Sequence, residues 1–139
     1  MNKSFLYALG ALAVYTIYRR YSNKIPVYYV DSIAANFNAR TIPPFGIFIK
    51  KSQKNNTALF NHELIHWNQF KNLGLLGFYT TYISEHIKNG YDLNRLEIEA
   101  RKNESNYCRN NFTACVRSGE SKTVYNPNFR KWKQIIHIY

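Results

Sequence analysis

The sequence predicts an α+β fold: a mainly helical domain with a small β-sheet edge, preceded by an N-terminal helix. Three observations predict it. An uncharged apolar stretch, Phe5–Tyr18, opens the chain. Two β-prone runs follow, Ile25–Val30 and Phe45–Lys50. From Thr57 onward, apolar residues recur at helical spacing between cap and stop residues. The 139 residues allow one domain, read as an anchor helix over 1–21 and a body over 22–139.

Composition narrows the class. Aromatic residues make up 17% of the chain, which excludes a disordered polymer. Two Cys exclude a disulfide-stapled mini-protein. Six Gly and no sustained heptad exclude collagen and coiled coils, and no internal repeat is present. The net charge is +11, but the basic residues are scattered and form no dense block. Scattered charge reads as a solvated surface, so a specific nucleic-acid site is not expected.

Phe5–Tyr18 would span about 21 Å as a helix, against a hydrocarbon core of about 30 Å. Extending it through Tyr21 adds a collar of Tyr15, Tyr18, Arg19, Arg20 and Tyr21 suited to a lipid interface. The expectation is a single-pass membrane anchor, with an uncleaved buried helix as the alternative. Ala11-Leu12-Ala13 is a small-x-small triplet, but it lies inside the apolar run, unlike a signal-peptide cleavage site. Lys3 on one flank against Arg19, Arg20 and Lys24 on the other places the body on the cytoplasmic or interior side.

Ile25–Val30 carries Pro26 near its start, as an edge strand allows. Asp31–Arg40 reads as a connection or helical turn, and Pro43-Pro44 breaks the chain. Phe45–Lys50 is a short strand of β-branched and aromatic residues. Lys51–Asn56 is a polar loop ending in Asn55, Asn56 or Thr57 as helix cap. One helix runs from there to about Asn72, Gly74 and Gly77 interrupt, and Leu75–Lys88 forms a second that stops at Asn89-Gly90. A third starts near Asp92 and reaches about Asn111; Ile135–Tyr139 forms a final strand or ordered tail.

His62-Glu63-Leu64-Ile65-His66 carries the chemistry. Residues i and i+4 share one helix face, so both imidazoles can reach one Zn²⁺. Glu63 sits about 100° round the helix, beside a water that the ion would make acidic. Glu63 then acts as general base, and the resulting hydroxide attacks a polarised carbonyl. The bland alternative is two surface histidines on an amphipathic helix. A catalytic zinc usually takes a third protein ligand. Cys108 and Cys115 lie seven apart on one helix and read as buried free thiols, and His137 is remote in sequence. Four carboxylates remain: Glu85, Glu97, Glu99 and Glu104.

HELIHWNQF followed by YDLNRLEIEAR resembles the zincin metallopeptidases, specifically the gluzincin clan. It also looks like small HExxHxxQ proteins of bacteria and phages, with Gln69 in the Gln place. The resemblance covers roughly residues 45–102 and implies that a Glu on a later helix completes the site. Glu97-Ile98-Glu99-Ala100 matches the Glu-x-x-small pattern with Glu97 as ligand, and Ala100 on the same face would let the two helices approach closely. The resemblance further implies that the strand before the first helix, here Phe45–Lys50, receives an extended peptide along a sheet edge. Two departures stand out. The thermolysin-type Asp that orients a His is replaced by Arg101, and Glu85 lies at the ligand spacing of another gluzincin group. Tyr91, Tyr125 and His137 are possible donors to an oxyanion.

The leading expectation is therefore a membrane-anchored zinc metallopeptidase acting on a peptide or protein, of a kind suited to a phage or cell envelope. The alternative is a catalytically inactive scaffold on the same fold, partnered with virion or membrane-complex proteins.

Overall fold

Alternation builds the sheet. In β1 (Lys24–Val30) Ile25 and Val27 are buried, and in β3 (Gly46–Lys50) so are Ile47 and Ile49. Residues two apart on a strand face the same way, so these four form one apolar surface. The computed structural model describes residues 2–104, 123–126 and 132–138. Three further strands complete the sheet: β2 (Ala39–Ile42), β4 (Thr123–Asn126) and β5 (Trp132–Ile138), in the order β2-β3-β1-β5-β4. The two central pairings, β3 with β1 and β1 with β5, are parallel; both outer pairings are antiparallel.

This order corrects two expectations. β1 is an inner strand, not an edge. Its ladder with β3 begins at Val27, immediately after Pro26, so the missing proline N–H precedes that ladder. β3 is also inner, so Phe45–Lys50 offers no free edge; that edge belongs to β2, a run of four residues whose first two were read above as part of a connection. Gly46 permits the arrangement. Its φ is 149°, and a Cβ there would lie 2.7 Å from the Pro26 carbonyl oxygen, so only glycine lets β3 lie this close to β1.

Helix α2 (Thr57–Asn89) begins where Asn56 accepts a hydrogen bond from the Leu59 N–H and ends at Gly90. It is two helical segments joined at a non-helical residue, Gly74, with φ 75° and ψ 175°, while Gly77 stays helical. The break frees carbonyls at the end of the first segment. Arg20 donates to two of them, those of Lys71 and Asn72. The core is the β1–β3 surface closed by Phe60, Leu64, Trp67 and Phe70 of α2 and by Leu96 and Ala100 of α3 (Arg95–Asn103). Helix α3 starts three residues later than expected, capped by Asn94.

The N-terminal helix α1 (Lys3–Tyr21) forms as expected, and no described helix is long and apolar enough to cross a membrane, so the expected span is unsupported. The helix has 19 residues, but only part of it is apolar. The charge-free stretch ends at Tyr18, and the Arg20 that would extend it into the interface is engaged on α2. None of α1 is buried; Val14 is 69% and Ile17 59% exposed.

Candidate metal centre

His62 and His66 leave the buried side of α2 one turn apart, with their Nε2 atoms 3.0 Å from each other. Glu97 reaches them from α3, its Oε2 3.1 Å from His62 Nε2 and its Oε1 3.4 Å from His66 Nε2. Donor atoms of these three residues all lie within 4.8 Å of one another. Tetrahedral ligands about 2.1 Å from a zinc ion stand about 3.4 Å apart, so this trio fits one ion. The outward nitrogens are both engaged: His62 Nδ1 donates to Glu104 Oε2 at 2.9 Å and His66 Nδ1 to Gln69 Oε1 at 2.8 Å. That leaves Nε2 of each ring facing Glu97, the orientation that outer hydrogen bonds impose on metal-binding histidines.

The approach of α3 follows from its sequence. Ala100, fully buried, removes bulk at the contact with α2, and the buried Asn94 side chain donates to the Tyr82 carbonyl while capping α3. Glu97 then faces the histidines and accepts from the Tyr82 hydroxyl at 2.6 Å. Burial alone would favour its neutral acid. Hydrogen bonds from His62, His66 and Tyr82 outweigh this and hold the carboxyl well below the usual carboxylate range. For His62, burial lowers the pKa, but the bonds to Glu97 and Glu104 raise it more. Burial and then the Glu97 charge push up both neighbouring phenols: Tyr91, which also hydrogen-bonds Glu97, to about 12, and Tyr82 further. Both stay neutral donors at neutral pH.

Glu63 is buried and lies beside the trio. Thr41 of β2 donates to its Oε2 at 2.6 Å, and the same hydroxyl lies 2.9 Å from the Glu63 backbone carbonyl. Burial raises its pKa, partly offset by His66 and by the Thr41 bond. A cavity of about 400 Å³ opens here, lined by His62, Glu63, His66 and Glu97 together with β2 and the aromatic face of the second half of α2.

The structure thus brings together His62, Glu63, His66 and Glu97, and separates the other candidates. Glu85 is paired with Arg95 at 2.7 Å and Glu99 with Gln69 at 2.9 Å. Arg101 lies over the Tyr91 ring and donates to the Asp92 carbonyl, so the His-orienting carboxylate is Glu104 instead. Cys108 and Cys115, and the end of the third helix at Asn111, lie outside the described residues; Tyr125 and His137 fall on β4 and β5, with side chains outside the description. Thr41 and Tyr82 were not foreseen, and no local motif marks them. The Glu104 arrangement has a measurable consequence. Glu104→Ala should weaken zinc binding about 10–100-fold without unfolding the chain, read by competition with a chromogenic chelator. Unchanged affinity would remove Glu104 from the site.

No protein-family model, curated protein or solved structure matches the chain.

Proposed function

We propose that this chain is a zinc metallopeptidase. The observation that carries the reading is the convergence of two histidine Nε2 atoms and the Glu97 carboxylate, with Glu63 beside them and a cavity in front. His62, His66 and Glu97 would hold the ion. When bound, zinc supplies Lewis acidity, which makes water more acidic and polarises a carbonyl oxygen. The chain supplies the rest. Thr41 engages Glu63 Oε2, which leaves Oε1 to take the proton of the attacking water and return it to the leaving amine. The outer edge of β2 is unpaired among the described residues, so an extended peptide can lie along it and be presented to Glu63.

The test is zinc stoichiometry and hydrolysis of a broad peptide library by the full chain. Glu97→Gln should lose both zinc and activity, and Glu85→Gln should keep both. The reverse pattern would move the ligand to Glu85. A wild type that binds no zinc and cleaves nothing would leave the scaffold reading, which the exposed apolar α1 favours as a docking element.

For α1 itself the reading is attachment in a lipid interface rather than a span. Its large apolar side chains are exposed, and no acidic residue precedes Asp31, which suits an anionic bilayer. The full chain should float with phosphatidylglycerol vesicles, and Leu9→Glu with Leu12→Glu should release it. Equal flotation of the double variant would show that α1 is not the attachment.

A further inference from the structure

The cavity beside the metal centre carries a charge that the hydrolytic chemistry does not use. Arg40 stands on the edge strand β2, next to the Thr41 that holds Glu63, and lines the same cavity. Its guanidinium lies 4.8 Å over the Phe37 ring. Among the described residues it forms no ion pair and donates no hydrogen bond. The other described arginines are engaged: Arg19 on the Tyr15 hydroxyl, Arg20 on carbonyls, Arg95 on Glu85, Arg101 on the Asp92 carbonyl. The nearby carboxylates form no ion pair with Arg40: Glu97 bonds two histidines and Tyr82, and Glu63 bonds Thr41. Its charge reaches the Tyr79 and Tyr82 hydroxyls, where it opposes the upward push of burial, so it acts close to the metal trio. His86 lies on the same cavity wall.

We propose that Arg40 is a carboxylate-binding subsite, so that the preferred substrate carries an anionic group within one or two residues of the bond cleaved. This rests on the peptidase reading, since in a peptide the anions are Asp and Glu side chains and the C-terminal carboxylate. The register supports it. Arg40 is one residue from Thr41, about 3.3 Å along the strand; adjacent side chains leave opposite faces, yet both line the cavity, so a peptide laid along the β2 edge passes the guanidinium within a residue or two of Glu63. A planar guanidinium stacked on an aromatic ring is pre-oriented for two parallel bonds to a carboxylate. The apolar wall of Phe37 and Phe78 makes room for the aliphatic stem of such a residue.

The experiment uses zinc-loaded full chain and matched fluorogenic peptides. One arm compares Asp or Glu beside the cleaved bond with Asn or Gln. The other compares a free C-terminal acid with its amide. The carboxylate form of one arm should be cleaved about tenfold or more faster in kcat/KM, and the arm that responds identifies the source of the anion. Arg40→Gln should bring that ratio towards one with zinc content retained, and Arg40→Glu should favour Lys-bearing peptides. Equal rates in both arms, or a preference that survives Arg40→Gln, would overturn the subsite. If no peptide is cleaved, the peptidase reading fails on its own; the subsite is then read by calorimetry with the acid and amide forms of an N-acetyl dipeptide. Arg40-dependent binding of the acid keeps it, and its absence overturns it.

Discussion

Glu63→Gln should abolish most turnover while leaving the metal in place. The side chain keeps its size, and its amide oxygen can still accept from Thr41, so the local packing survives. What it loses is the ability to take a proton from water, a general-base contribution of about 10²–10⁴ in rate. The loss should fall on kcat rather than KM, because the proton moves only on the way to the transition state. Zinc content should stay near that of the wild type, since Glu63 is not among the three ligand residues. The melting temperature should hold or rise, because a carboxylate whose pKa burial raises is one whose charge the fold disfavours. A variant that cleaves as fast as the wild type would remove Glu63 as the base. A variant that loses zinc or unfolds would show that Glu63 acts on structure instead.

The second large effect is on stability. Trp67 of α2 is fully buried in the apolar core and meets the Phe70 ring edge-on at 5.2 Å. Its Nε1 has no hydrogen-bond partner among the described residues, so truncation removes packing rather than a polar bond. Trp67→Ala should cost about 3–5 kcal/mol and lower the melting temperature by roughly 10 °C or more. Leu76→Ala, at a site 80% exposed on the same helix, should change stability by less than about 0.5 kcal/mol. Denaturant melts of the two variants compare them directly. Similar values would show that the core lies elsewhere.

How much of this was legible in the residues depends on how far each interaction reaches along the chain. The His62–His66 pair was legible because its geometry is internal to a helix; Phe60, Leu64 and Trp67, spaced four and three apart on that helix and all buried, obey the same local rule. Asn56 as cap and Gly90 as stop were readable for the same reason. Glu97 was ranked first among four carboxylates by the small residue three positions on, and α3 carries it to the histidines. The roles of Thr41, Glu104 and Tyr82 were not readable: Thr41 bonds Glu63 across 22 positions, Glu104 bonds His62 across 42 and Tyr82 bonds Glu97 across 15.

The sheet order and α1 mark the same boundary. Apolar alternation identified β1 and β3 but not their neighbours, because period-two burial looks alike on inner and edge strands until pairing is known. An uncharged run identified a helix at the N-terminus, but whether that helix spans a bilayer depended on its usable length and on where Arg20 is spent. The sequence by itself determined what one turn of helix or one strand can hold: the histidine spacing, the carboxylate between them, the caps and the buried faces. Only the tertiary structure decided which distant groups meet those faces. Chain separation carries no distance until the core closes, and it is the packing of α3 and β2 against α2 that brings Glu97, Glu104 and Thr41 to the histidine pair and Glu63.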